Sequence, residues 1–208
     1  SNPFGGRRQG ESGRPELRTA SAVVGEDEGE NRIYSVRDVD GRVWDVGVLD
    51  DDRQVLGALT TFWKAVRLRG LQRRAGVSLR ASVERASLLA YAAESAGVRT
   101  PKLRGIATEQ GSAVLVSEHV VGSETFGDIQ TRRLTDRVLD RIWEQVRIAH
   151  AAGLAHRDLD DQAILIDASD RVWLAGWIEG EIASPSLARR LDLTHVLALL
   201  ALRVGAER

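Results

Sequence analysis

The stretch Ala155-His156-Arg157-Asp158-Leu159-Asp160-Asp161-Gln162-Ala163-Ile164-Leu165-Ile166-Asp167 decides how the chain is read. A histidine, an arginine and a carboxylate stand side by side at its start. Two more carboxylates follow, and the apolar run Ile164-Leu165-Ile166 comes before the closing Asp167. A short apolar run bounded by turn residues reads as a buried strand. Ala168-Ser169-Asp170 then predicts a turn, and Arg171-Val172-Trp173-Leu174-Ala175 a second short strand leading into Gly176-Trp177-Ile178.

Working outward, apolar residues at helical spacing (Leu139, Ile142, Trp143, Val146, Ala149) predict a long helix before the loop. It is capped by Thr135 or Asp136, runs through Ala151 and ends at Gly153. After the loop, Pro185 opens a last helix over about Ser186–Val204. Its apolar second half, Val196–Val204, reads as buried and is too short to span a membrane. Upstream, Ser78 caps a helix over Leu79–Ser95 that Gly97 closes. Arg104–Thr108 and Ser112–Val120 read as strands, and Val121-Gly122-Ser123 as a break. Ile33–Val39 and Val43–Leu49 predict a hairpin, because Asp40-Gly41 suits a tight turn with positive φ. Asp50-Asp51-Asp52 ends the hairpin, and Val55–Leu68 has helical periodicity. Glu16–Val24 is expected as a short helix, interrupted by the acidic stretch Gly25–Glu30.

The order is that of an α+β protein with a small sheet-bearing lobe and a mostly helical lobe. Residues 1–15 read as linker with a tag scar at Ser1-Asn2. Residues 16–120 read as the sheet-bearing N-lobe with inserted helices, and 121–208 as the helical C-lobe. The 208 residues contain neither Cys nor Met, so disulfide and thiolate chemistry are excluded and the chain is expected to begin inside a longer protein. With 29 basic and 30 acidic residues the net charge is −1, which argues against nucleic acid as a partner. Arg67, Arg69, Arg73 and Arg74 form a local basic cluster, read first as a solvated helix end and second as a contact for acidic lipid or an acidic partner. His119, His150, His156 and His195 show no metal-ligand spacing. The cluster Asp158, Asp160, Asp161, Asp167 and Asp170 reads as a turn-rich loop rather than a metal site.

His156-Arg157-Asp158-Leu159 resembles the start of the protein-kinase catalytic loop, H-R-D-L-x-x-x-N, and the element order from about residue 31 onward resembles the two-lobed protein-kinase-like fold. More narrowly, the chain resembles the cytoplasmic kinase-like domain of actinobacterial multi-pass proteins with a flippase-like region, the membrane part of lysylphosphatidylglycerol synthases. Ser78–Glu84, Ala96–Pro101, Arg171–Leu174 and Ala201–Arg208 carry that likeness, with Asp52–Val55 and Val66–Arg69. It implies a parent with transmembrane helices elsewhere, a place on the cytoplasmic face of the membrane, and a role in envelope-lipid or polyprenyl-carrier handling.

Set against the kinase pattern, the groups that handle phosphate are missing. Gly47 falls where the strand lysine belongs, Ala163 replaces the asparagine, and Gly176 replaces the D-F-G aspartate. Phosphoryl transfer rests mostly on positioning and charge neutralisation, so a lone Asp158 cannot replace that cation field. His156 and Arg157 read as loop anchors, Glu84 as the retained partner of the absent lysine, and Asp192 as the aspartate that ties down the loop backbone. Trp173 and Trp177 read as core and cleft filling. The expectation is a pseudokinase with no catalytic residue, no metal, and weak or absent ATP and Mg2+ binding. It would dock a protein partner or its own membrane domain. The alternatives are an atypical phosphotransferase recruiting Asp160 or Asp161 for metal, and a metal-independent nucleotide or headgroup sensor.

Overall fold

Alternating residues of the predicted hairpin pair as expected, and they nucleate the larger of two sheets. The computed structural model describes residues 21–23, 32–38, 40–50, 79–109 and 112–205. β1 (Ser21–Val23), β2 (Arg32–Arg37), β3 (Val43–Asp50), β4 (Leu103–Glu109) and β5 (Ser112–Glu118) form an antiparallel sheet in the order β1-β2-β3-β5-β4. β6 (Glu124–Thr125), β7 (Ile164–Ile166) and β8 (Val172–Leu174) form a second, three-stranded sheet. The helices are α1 (Leu79–Ser95), α2 (Asp136–Ala151) and α3 (Ser186–Val204), with a 3-10 turn at Thr131–Arg133 before α2. The chain is therefore α+β, with a sheet-bearing region and a helical region.

Two expectations need correction, and a third is met only in part. The helix expected over Glu16–Val24 is contradicted where it can be seen. Ser21–Val23 pair with Ser35–Arg37 as an edge strand, a state that suits Val23 and needs only the free rim of β2. Thr135 holds the N-cap position of α2 with an extended backbone, yet its side chain makes no capping hydrogen bond. The second half of α3 is not buried all round. Val196 and Leu200 face the core, whereas Leu197 is 60% and Leu202 83% exposed. The helix expected over Val55–Leu68, the acidic stretch Gly25–Glu30 and the arginines Arg67, Arg69, Arg73 and Arg74 lie outside the described residues.

The hairpin turn is wider than a bare Asp-Gly pair. Gly41 takes φ +81°, as its lack of a Cβ allows, and Asp38 organises the loop. The Asp38 carboxylate accepts the N–H groups of Asp40 (3.0 Å) and Arg42 (2.9 Å) and the Trp44 indole (2.9 Å).

The main core lies between α2, α3 and the small sheet. Phe126, Ile129, Leu134, Ile142, Ile164, Ile166 and Leu174 are fully buried there. The two apolar strands after the loop bury both end residues, as short core strands should. A side-chain network locks the turn joining them. Asp167 Oδ1 accepts Ser169 N–H (2.8 Å) and Arg171 N–H (3.0 Å), and Oδ2 accepts Arg171 Nε (2.7 Å) and Trp173 Nε1 (3.2 Å). Arg133 donates to the Asp167 carbonyl (2.9 Å) and to Asp170 (3.0 Å), and Arg141 donates to the Asp170 carbonyl (2.6 Å). Asp170 itself takes φ +58°. Removing the Asp167 carboxylate strands several donors at once. Asp167→Ala is expected to lower unfolding stability by about 2–3 kcal/mol in urea titration, with Asp167→Asn losing less.

Candidate functional site

The loop His156–Ala163 is held from below by α3. Asp192 is buried, and its two carboxylate oxygens accept the backbone N–H of His156 (2.8 Å) and of Arg157 (2.7 Å). His150 Nε2 lies 3.0 Å from the same carboxylate. Burial works to raise the Asp192 pKa, but the hydrogen bonds from His150, His156 and Arg157 override it and leave it lowered. The sequence assigned Asp192 this tie, and the structure places it there.

That clamp fixes an unusual backbone. Arg157 takes φ +69°, a region non-glycine residues enter only when the surroundings impose it. The flanking bridge supplies the rest of the constraint. Ala155 and Glu181 exchange both backbone hydrogen bonds, and Arg157 Nη1 reaches Glu181 at 3.4 Å.

His156 is buried beneath the loop. Its Nε2 lies 2.6 Å from the Ala175 carbonyl, so the ring donates there and stays neutral. Burial pushes its pKa down, against the pull of the Ala175 carbonyl and of Asp192. The other ring nitrogen, Nδ1, is buried without a hydrogen-bond partner. Trp177 packs on the imidazole with ring centroids 4.6 Å apart, and its indole N–H donates to the Leu174 carbonyl at 3.1 Å. Trp177 thus belongs to the main core. Trp173 points elsewhere, onto Asp167 and under the Arg171 guanidinium, so it does not fill the cleft.

The acidic residues of the loop divide by role. Asp160 Oδ1 accepts the N–H groups of Gln162 (3.0 Å) and Ala163 (2.7 Å), so this carboxylate builds the turn. Asp161 packs against Gly127, where an added Cβ would come within 2.7 Å of its carboxylate oxygen. Among the described residues no group of three or more histidine or acidic side chains is arranged to hold a metal ion. Asp158 is exposed at its tip, and partial burial followed by the neighbouring Asp160 raises its pKa.

The positions that the sequence resemblance aligns with phosphate- and metal-binding groups are bare. Gly47 pairs with Leu115 across β3 and β5, and an added Cβ would meet only the Leu115 carbonyl, at 3.9 Å. Ala163 is buried, with its carbonyl accepting Ala175 N–H at 2.8 Å. Gly176 has φ +76° and nothing within 4 Å of an added Cβ. Glu84 is exposed on α1; the side chain of Arg80 lies outside the described residues, and Arg85 is exposed.

One polar cluster was not foreseen. Val83 of α1 packs with Ala113, Leu115 and Ile178, so the face of the large sheet bearing Ala113 and Leu115 is the inner one. Gly47 pairs with Leu115, and Asp45, two residues away, pairs with Ser117 on that same face. Asp45 Oδ1 accepts the Ser35 hydroxyl (2.9 Å) and lies 2.9 Å from His119 Nδ1. If Gly47 is aligned with the lysine of the kinase V-A-I-K strand, as the sequence resemblance sets it, Asp45 falls at that strand's alanine. The spacing was available in the sequence, since Asp45 is two residues before Gly47; its cross-strand partners were not.

Sheet, helices and anchored loop are together compatible with a kinase-like fold. Over 105 residues the chain is 30% identical to CBL-interacting protein kinase 16 of Oryza sativa subsp. japonica, covering 47% of this chain and 23% of the plant protein. The chain therefore matches about a quarter of that relative's length. No family model matches the chain.

Two measurements check the site. Asp192→Ala leaves two backbone N–H groups beneath the loop without their acceptor, and is expected to cost about 3 kcal/mol in denaturant unfolding. Asp158 has a raised pKa, so the folded state disfavours its charged form. Asp158→Asn is therefore expected to raise Tm at neutral pH, and the gain should close as pH falls through the Asp158 pKa. A variant less stable than the wild type at neutral pH would show that Asp158 makes a favourable contact instead.

Proposed function

We propose that this chain is a pseudokinase: a two-lobed kinase-like scaffold that has kept its loop anchoring and given up phosphotransfer. The observation that carries this reading is Gly47, a strand residue on the inner sheet face with no side chain where a cation is needed. Ala163 and Gly176 support it, since neither offers an oxygen to a metal ion through a side chain. Asp45 adds to it. Its carboxylate, bonded to Ser35 and His119, adds negative rather than positive charge to that strand. Of Asp160 and Asp161, the aspartates that an atypical phosphotransferase would recruit for metal, Asp160 has one oxygen engaged by two backbone N–H groups.

On this reading the domain acts by docking, as a regulatory module for a protein partner or for a membrane domain of its own parent. No helix among the described residues is long and apolar enough to cross a membrane. The setting at the cytoplasmic face of a cell-envelope protein with a flippase-like region rests on the sequence resemblance alone.

Thermal denaturation with and without Mg-ATP tests the proposal. A ligand at 100 times its Kd stabilises by about 2.7 kcal/mol, a shift of several degrees for a chain of this size. No shift is expected at millimolar nucleotide. A clear shift, or phosphotransfer that Asp158→Asn abolishes, would overturn the reading.

A further inference from the structure

After β8 the chain runs Gly176-Trp177-Ile178-Glu179-Gly180-Glu181, and this short segment is pinned on both sides. Trp177 is buried in the main core, against the imidazole of His156 and with its indole N–H on the Leu174 carbonyl. Glu181 exchanges backbone hydrogen bonds of 2.9 and 3.0 Å with Ala155. Between these pins the Ile178 N–H bonds back to the Gly176 carbonyl at 2.7 Å, a three-residue turn around Trp177.

The turn sends neighbouring side chains to different places. Trp177 joins the main core, whereas Ile178 packs on the separate cluster of Val83 from α1 and Ala113 from β5. Those two residues are 1% and 0% exposed. Gly180 then lies against Leu89, about 9 Å further along α1 than Val83. A Cβ at Gly180 would come within 3.1 Å of the Ala155 carbonyl oxygen and 3.2 Å of Leu89 Cδ2, tighter than ordinary van der Waals contact. The missing side chain is what lets the segment lie flat along the helix. The segment is thus a strap on α1, anchored in the main core by Trp177 and touching the inner face of the large sheet through Ile178.

The resemblance that sets Gly176 on the D-F-G aspartate sets Ile178 on its glycine, so a branched side chain stands where the motif has none. We infer that the strap is an autoinhibitory contact. Ile178 plugs the space between α1 and the inner face of the large sheet, and that space admits a ligand only when Ile178 is withdrawn. The plug is apolar and its neighbours are apolar, so seating it satisfies the strap and leaves no polar group for a ligand to pair with. The inference rests on the pseudokinase reading only in taking this space as part of the nucleotide cleft. The test below contains no nucleotide, so either idea can fail while the other stands.

The chain contains no cysteine, so a single introduced thiol reports on this space alone. Ala113→Cys places one in the cluster that Ile178 covers, and its rate of reaction with a small thiol reagent measures how often the space opens. It is expected to react at least about a hundredfold more slowly than Ala198→Cys, at an exposed position of α3. Adding Ile178→Ala to Ala113→Cys should speed the reaction by at least about tenfold, with an unchanged circular dichroism spectrum. Adding Gly180→Ala instead, which pushes the strap off Leu89 while keeping Ile178, should do the same. Ile178→Val, one carbon shorter, should give an intermediate rate and keeps the test decisive where the alanine variants unfold. A thiol at position 113 as reactive as one at 198, a rate indifferent to both Ile178 variants, or acceleration by Ile178→Ala with none by Gly180→Ala would overturn the inference.

Discussion

Two backbone N–H groups bound by one buried carboxylate hold this structure's central loop in place. Asp192 accepts from His156 and Arg157, and the left-handed turn at Arg157 persists because those bonds outweigh its strain. The carboxylate comes from a helix and the amides from a loop 35 residues earlier in the chain. That tie joins α3 to the small sheet, and the sheet's strands supply the apolar floor of the core. Removing the charge would release the loop and expose the neutral, buried His156 that packs on Trp177.

The regular elements were legible wherever a local rule acted alone. Helical spacing and Gly97 marked α1, and the positive φ of Gly97 is the left-handed ending that glycine permits. The two strands after the loop were legible because short apolar runs between turn residues have few other uses. The first edge strand was not. Ser21–Val23 is too short for periodicity to speak, and only the free hydrogen-bonding rim of β2 makes it a strand. The exposure of α3 was missed for the opposite reason. Apolar residues at nearly every position of Val196–Val204 read as burial on all sides, and composition does not say whether anything lies against the far face.

The site shows the same division. Ala163 and Gly176 could be read from their distance to His156-Arg157-Asp158, Gly47 from its place on the strand closing the first hairpin, and Asp192 from its place early in the last helix. The Asp45, Ser35 and His119 cluster could not, since its members are 10 and 74 residues apart and meet only through strand register. Trp173 and Trp177 looked equivalent in sequence. A strand's alternation sends Trp173 out to Asp167, while the turn after Gly176 folds Trp177 into the core.

What the chain keeps and what it lacks follow one physical division. The kept groups act on the protein's own backbone: Asp192 on the loop amides, Asp160 on its turn, Asp167 on the β7–β8 turn. Each satisfies backbone donors, and losing any of them would destabilise the fold. The missing groups would act on a ligand. A strand lysine, a loop asparagine and a metal-binding aspartate contribute little to an empty scaffold, and an unpaired buried charge costs stability. Selection for a folded docking surface alone would preserve the first set and let the second drift to glycine and alanine. Gly47 and Gly176 have open space around their Cβ positions, so packing does not demand glycine there. At Gly47, where the backbone is ordinary strand, lack of room does not account for the missing side chain.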